Sequence, residues 1–315
     1  MPIRNLDVKK AKALKIGGKF GVSLFRFILI AGISFVILFP LASKLLASFM
    51  TVEDIYDMSV QYIPKHFTLE NYALAWNFLD MPSLIPATLF YPFITSLVTM
   101  ASATVVAYGF ARYEFKGKGF LFILVVLGMV IPPDLVLLPL YMNFRYFDFF
   151  GIIKLITGSS LNLLDTPFPF VILGLTCTGL KNGLYIFMMR QYFRGLPKEL
   201  EEAAFVDGAS TFKAFIKIFI PSATQIMMTV FLFSFVWQWV DDLYTSTFIQ
   251  NVPFLSTEMS RLVATGTVSA GISNMTQFGL MRNAGIVFFI APLLILYIVC
   301  QKYFTESIER SGIVG

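Results

Sequence analysis

Charge is scarce in this sequence. Asp, Glu, Lys and Arg together make up 14% of the 315 residues, against about 25% in an ordinary soluble domain. His66 is the single histidine and falls in a loop, so neither a zinc site nor a histidine-based triad can be assembled; it is expected at the surface. The two cysteines, Cys177 and Cys300, lie inside apolar stretches, where a small buried hydrophobe is expected in place of a disulfide or metal ligand. No Gly-x4-Gly-Lys-Ser/Thr phosphate loop occurs, so the chain is not expected to bind ATP. Basic residues outnumber acidic ones, for a net charge of +5. They are scattered between apolar runs and form no stripe that tracks phosphates, which excludes nucleic acid as a partner.

Hydrophobic residues are abundant: they reach 57%, with 16% aromatic and a mean hydropathy of +0.75. This is the composition of a membrane protein. A helix needs about 20 apolar residues to cross a bilayer. Six stretches meet or approach that length: Val22 to Leu46, Leu89 to Ala111, Phe120 to Tyr141, Pro167 to Met189, Ile218 to Val240 and Ala284 to Phe304. The first follows a Lys-rich start, but its apolar part outruns a signal peptide and lacks a cleavage site, so it reads as an uncleaved span.

Lys and Arg are retained in cytoplasmic loops. An internal N-terminus puts Arg4, Lys9, Lys10, Lys12, Lys15, Lys19 and Arg26 in or beside the cytoplasm, then Arg112, Lys116 and Lys118, then Arg190, Arg194, Lys198, Lys213 and Lys217, and finally Lys302 and Arg310. The loop after the first span carries Glu53, Asp54, Asp57, Glu70 and Asp80, with Lys65 alone against them. The expected fold is all-α and integral to the membrane, with six transmembrane helices and both termini cytoplasmic. Its parts are an N-terminal tail over 1–21, a first transmembrane helix over 22–46, an external loop over 47–88, a five-helix core over 89–304 and a C-terminal tail over 305–315.

Between the fourth and fifth stretches the chain reads LPKELEEAAFVDGA, from Leu196 to Ala209. Pro197 suits a helix's first turn, Glu199, Glu201 and Glu202 favour its positive end, and Gly208 suits a left-handed cap. A short cytoplasmic helix over 197–208 is predicted, too charged to cross a membrane. Ala203 and Ala204 are expected together where a partner backbone approaches closely, and Ser210 or Thr211 caps a second helix leading to Pro221. An ordinary amphipathic surface loop fits the same residues.

The string EEAAFVDGASTFKAFIKIFIP resembles the EAA loop of ABC importer permeases, with Glu202, Ala203, Ala204, Gly208, Ile218, Ile220 and Pro221 on the motif positions and Ile220 in place of the usual Leu. FTLENYALAW, AYGFARYEFKGKG, VIPPDLVLLPLY, LLDTPFPFVIL and WQWVDDLYTSTFI resemble the carbohydrate-uptake, maltose-type branch, and the likeness covers nearly the whole chain after the first span. It implies a type I importer permease fold, with a second homologous permease chain, two ATPase subunits that hold ATP and Mg2+, an external solute-binding protein and a carbohydrate substrate, in a bacterial-type inner membrane. In that assembly the first span wraps around the partner permease. The EAA helix sits in a cleft of the ATPase and passes on its closing motion, so Glu202, Ala203, Ala204, Asp207, Gly208 and Pro221 are the ATPase-coupling residues, Glu202 meeting an ATPase arginine. No cofactor is implied in this chain, and no enzymatic activity of its own.

The chain departs from that pattern where many sugar permeases show Trp-Asn-Asp: it has Trp239, Val240 and Asp241, followed by Asp242. In the second span Thr95, Ser96 and Leu97 replace Asn-Ser-Leu. For the substrate path, Lys181 and Asn182 are the most anomalous intramembrane polar residues, with Tyr185 one turn away. Lys181 snorkelling outward, or pairing with Asp165 or an acid of the fifth span, is the plainer alternative. Trp237, Trp239, Asp241 and Asp242 are further path candidates, although interfacial tryptophans are common without a ligand. Asp134 is expected to cap a broken third span, and Ser96, Ala101, Ala103, Ala107 and Gly109 to allow close packing of the second. A non-sugar ABC permease stays open. An ion-coupled transporter would need carboxylates deep in several spans, and a membrane enzyme a catalytic cluster; the spans offer neither.

Overall fold

The computed structural model describes residues 3–265 and 274–312, with side chains described over 21–262 and 274–301. The basic side chains counted at Arg4 to Lys19 and at Lys302 and Arg310 therefore lie outside the described residues, as does the end of the expected C-terminal tail. Among the described residues the chain is helical, apart from one isolated antiparallel bridge between Phe147 and Leu161. In order come α1 (Ile3–Ala47), α2 (Val52–Tyr56), α3 (Glu70–Phe78), α4 (Met81–Arg112), α5 (Lys118–Val130) and α6 (Pro133–Arg145). Next are α7 (Ile152–Thr157), α8 (Phe168–Leu175), α9 (Asn182–Gly195), α10 (Glu199–Val206) and α11 (Thr211–Ala214). A π-helical turn at Phe215–Phe219 leads into α12 (Ile220–Ser222), α13 (Thr224–Val240), α14 (Leu243–Phe248), α15 (Leu255–Thr265) and α16 (Met275–Gly312). The chain divides into two compact units, Met1–Trp76 with Val268–Val287, and Asn77–Thr267 with Phe288–Gly315.

In the first unit, Gly21–Ala47 of α1 is long and apolar enough to cross a membrane and buries nothing of that window against the rest of the chain. Its apolar side chains, Phe25, Phe27 and Val36 among them, are exposed all round, as in a helix solvated by lipid or by another chain. The segment after α1 is held by local hydrogen bonding. Thr51 and Asp54 form a capping box on α2, and Asn71 donates to the carbonyls of Ser48 and Met50 at 2.9 and 2.8 Å. His66 is exposed as expected, yet its Nδ1 lies 2.9 Å from the buried Asp54 Oδ1 and its backbone N–H also donates to Asp54. Burial pushes the Asp54 carboxyl up. Hydrogen bonds from the His66 ring and from the His66 and Thr51 backbones outweigh it and hold the group below its ordinary value,.

In the second unit, α4 is the central element, with α8, α9 and α13 packed on it. One core cluster joins Ala103, Ala107 and Tyr108 of α4 to Tyr185, Met189 and Phe193 of α9 and to Phe215 and Phe219. A second gathers Phe144, Phe170, Leu173, Tyr244, Phe248 and Phe254. Of the small residues expected to bring α4 close to its neighbours, Ser96, Ala103 and Ala107 are fully buried, but Ala101 is exposed and Gly109 has nothing near it. The closest approach is elsewhere: a Cβ on Gly183 of α9 would meet Val125 O at 2.8 Å and Met129 Cγ at 2.6 Å on α5.

Several expected spans are not single helices. The third stretch is α5 and α6, bent by 102°, because Pro132 and Pro133 remove two N–H donors where the ladder would have continued. Asp134, expected to cap this break, lies in the first turn of α6, whose N-cap is Pro132. The fourth stretch is α8 and α9, parted by 176–181, where Cys177 and Lys181 adopt φ of 57° and 59°; Cys177 is thus a half-buried turn residue. The fifth bends by 73° between Thr211–Ser222 and Thr224–Val240. The second and sixth are longer than expected, and the N-terminal tail is a continuation of α1 from Ile3. Among the described residues, three helices are long and apolar enough to cross singly, or up to five crossings if each bent pair counts as one.

Gly183→Val should lower the thermal midpoint of the purified protein, with a cost of about 1 to 3 kcal/mol from overpacking against a backbone carbonyl that cannot rotate away. Gly195→Ala, at a position with nothing near its Cβ, is the control expected to leave the midpoint in place.

Candidate functional site

Two regions carry polar groups that the fold itself does not require. The first is the acidic segment before α11. The helix forms over Glu199–Val206, shorter than 197–208, with Pro197 ahead of its first turn. Its end is a Schellman motif: Ala209 N–H donates to Ala204 O at 2.9 Å and Gly208 N–H to Phe205 O at 3.0 Å, with Gly208 at φ 75°,. Ser210 caps the next helix, its hydroxyl accepting from Lys213 N–H. Ala203 and Ala204 do not share a surface: Ala204 is buried in the chain and Ala203 is exposed, since neighbours on a helix are about 100° apart. Glu202 and Asp207 are exposed, beside the largely exposed apolar side chains of Val206 and Phe212. Pro221 lies in the short α12, at the surface.

The second region is a crevice of two small adjoining cavities inside the second unit, lined by hydroxyl and amide side chains among apolar ones such as Leu173, Leu180 and Phe254. It runs beside α4, where Thr88, Thr95 and Thr99 fall at intervals of seven and four residues and so share one face. Thr95, Thr99, Phe170, Ser234, Gln238 and Tyr244 line its first part, and Thr88, Tyr91, Gln238, Thr245 and Ser256 are among those lining the second. Each part has room for roughly one water. Thr88 accepts from Leu255 N–H at 3.0 Å, whereas the Thr95 hydroxyl is buried with no partner. No Asp, Glu, Lys, Arg or His lines either part.

The candidates for the substrate path do not converge. Lys181 is exposed at the N-cap of α9, its Nζ 4.7 Å from the ring centroid of the half-exposed Trp237. Pairing with Asp165 does not occur, since that carboxylate accepts from the backbones of Gln250 and Asn251 at 2.6 and 2.9 Å and from the Asn251 side chain. Asn182 is 2% exposed, with neither amide atom partnered. Tyr185 is completely buried among core residues, its hydroxyl turned toward Ser234 without completing a hydrogen bond, so it offers no open aromatic face here.

Trp239 is a core residue, donating from Nε1 to Phe289 O at 3.1 Å and stacked on Phe235. Asp241 holds the start of α14, accepting from the backbones of Tyr244 and Thr245 and from the Thr245 hydroxyl at 2.9 Å. Asp242 is the half-buried residue next to it, with no side-chain cap bond. Sequence reasoning missed the threonine face of α4, and with it Ser234 and Gln238. The spacing of the threonines was the available signal.

Apolar helices long enough to cross a bilayer, with two further pairs bent at a break, mark the described chain as a membrane protein. The chain belongs to the binding-protein-dependent transport system inner membrane component family, whose model matches residues 103–310. It is 28% identical to a probable ABC transporter permease protein of Bacillus subtilis, over 100% of this chain and 95% of that one. It is 25% identical to a diacetylchitobiose uptake system permease protein of Streptomyces coelicolor, over 88% and 84% of the two chains. An arabinooligosaccharides transport system permease protein of Halalkalibacterium halodurans is 26% identical, over 90% and 94%. In fold it resembles a chain in the crystal structure of a bacterial ABC transporter involved in the import of the acidic polysaccharide alginate, with a TM-score of 0.72, 20% identity and coverage of 91% of this chain and 98% of that one. Membership makes this a permease subunit of an ABC transporter, not an enzyme.

If Asp241 is a cap and not a solute ligand, Asp241→Ala should cost about 0.5 to 2 kcal/mol in stability, read as a lower unfolding midpoint. Solute half-saturation in transport by the surviving protein should be unchanged.

Proposed function

We propose that this chain forms half of the translocation path of an ATP-driven importer, and that its solute is a carbohydrate of oligosaccharide size. The observation that carries this reading is the crevice: hydroxyls and an amide set among aromatic and aliphatic residues such as Tyr91, Phe170, Tyr244 and Leu173, with no charged side chain in the described lining. Such a surface matches a neutral polyol, whose paired donors and acceptors need hydroxyl and amide partners and whose C–H faces need aromatic ones. An ion-coupled carrier would need carboxylates there. The relatives that take up diacetylchitobiose and arabinooligosaccharides support the same solute class. Asn182, with an unpartnered amide at the broken fourth stretch, is the side chain we assign to meet solute when the path opens. Lys181 and Trp237 stand at its margin.

Six crossings are counted by taking the two bent pairs and the broken pair α8 and α9 as one each. Both termini are cytoplasmic, in a bacterial inner membrane, as the distribution of Lys and Arg supports. In this reading α10 is the coupling helix. Glu202 and Asp207 beside exposed Val206 and Phe212 offer an ATPase cleft both charge and apolar area, and Gly208 ends the lever sharply. The assembly holds a second homologous permease, against which α1 lies, two ATPase subunits carrying ATP and Mg2+, and an external solute-binding protein.

Affinity purification of this chain from its native membrane should bring down an ATPase and a second permease. The reconstituted complex should take up at least one member of a labelled oligosaccharide panel in an ATP-dependent way. Asn182→Leu should cut uptake about tenfold per assembled complex, while Leu184→Met leaves it unchanged. Uptake driven by a proton gradient without ATP would refute the importer.

Orientation is tested separately in a cysteine-free background. Met58→Cys, at an almost fully exposed position of the acidic loop, should react with an impermeant thiol reagent from outside the cell, and Lys198→Cys only after the membrane is opened. The reverse pattern would invert the topology.

A further inference from the structure

Arg112, the last residue of α4, is a charged side chain only 5% exposed. Burying a guanidinium without partners is strongly unfavourable, and its surroundings show what compensates. Nη2 donates to Leu196 O at 2.8 Å, one of the carbonyls left over at the C-terminal end of α9. Nη1 lies 3.8 Å from Glu201 Oε2 on α10, itself 19% exposed. The guanidinium carbon sits 4.9 Å from the ring centroid of Phe219 in the π-helical turn,. Phe219 is completely buried and packs on Tyr108, one turn back along α4, with ring centroids 5.0 Å apart. One side chain therefore touches the end of α9, the helix α10 and the turn that leads into α12.

We infer that Arg112 is the positioning residue that transmits displacement of α10 to α4. This rests on the importer reading given above. Leu196 O and Glu201 flank α10 on its entry side and within its first turn, so a shift of α10 changes both distances at once. The Arg112 fork is rigid and planar, which makes it a stiff connection where a lysine would be a swivelling one. α4 then carries the motion along its axis: Thr99 of the crevice is 13 residues away, about 20 Å along a helix. The Glu201 contact is longer than a hydrogen bond, and Arg112 Nε has no partner. Both groups have bonding capacity left for a second position of α10.

The test uses the complete importer in proteoliposomes and reads ATP hydrolysed per solute molecule imported. Arg112→Lys and Arg112→Met should raise that ratio about tenfold over wild type, the equivalent of one lost charge-assisted hydrogen bond. Glu201→Gln should raise it less, and Lys116→Gln, at an exposed position, not at all. Arg112→Met with Glu201→Gln should do no more than Arg112→Met alone, because both cut the same link. A residue needed only for folding would lower the yield of complex and leave the ratio untouched. A wild-type ratio in assembled Arg112→Lys complexes, or strictly additive effects, overturns the assignment. Should the arginine variants fail to assemble, Glu201→Gln decides, and a wild-type ratio there overturns it too. Failure of the importer reading itself is distinguishable, since wild-type complexes would then show no ATP-dependent uptake.

Discussion

Inside a bilayer every backbone N–H and C=O must find its partner within the protein, and the second unit is organised by where helices are nevertheless interrupted. The break at 176–181 shows how this is managed. Thr178 and Gly179 both donate their N–H groups to Leu173 O, at 3.0 and 3.1 Å, and Asn182 donates to Gly179 O. Gly174 O is taken by the hydroxyl of Ser102 on α4 at 2.6 Å. Because the freed groups are bound by the turn and by a neighbouring helix, the break leaves few of them unpaired, and its remaining cost lies in the left-handed backbones of Cys177 and Lys181,. It also leaves the side chain of Asn182 buried with both amide atoms unpartnered.

The same constraint explains why polar residues fall into two kinds. Asp165, Asp241 and Trp239 satisfy backbone groups of irregular segments or of neighbouring helices, and their positions follow from that work. Asn182 and Thr95 retain unpartnered atoms in the interior. A buried polar atom without a partner is destabilising by about 1 to 3 kcal/mol, which is the physical ground for the solute-facing role proposed above for Asn182.

What the sequence made legible was local. The left-handed Gly208, the Ser210 cap and the interruption at Pro132 and Pro133 each depend on residues within a turn of one another. What it hid was long-range. Asp165 finds its partners at Gln250 and Asn251, and Trp239 finds Phe289 O; nothing in the neighbouring sequence announces either. Asp165 therefore read only as a candidate partner of Lys181, and Trp239 as a path candidate or an interfacial tryptophan. Arg112 read as one more cytoplasmic positive charge, although burial makes it a structural group. The threonine face of α4 was visible by spacing, but hydroxyls in an apolar run attract less notice than a lysine does.

Among the described residues, the most apolar window of α1 has no buried position, although Phe39 meets the ring of Tyr62 edge-on. A helix of this length satisfies its backbone alone, so its stability in lipid does not wait on the rest of the polypeptide. During synthesis it is therefore a finished object before the second unit exists, able to enter the bilayer and persist there as a monomer. Its place beside other helices is then settled late and sideways, by encounter within the plane of the membrane. Biogenesis of this protein thus divides into an early event governed by hydrophobicity and a later one governed by shape. A mutation in α1 that alters its shape while keeping its hydrophobicity should therefore spoil assembly and be invisible to the insertion machinery.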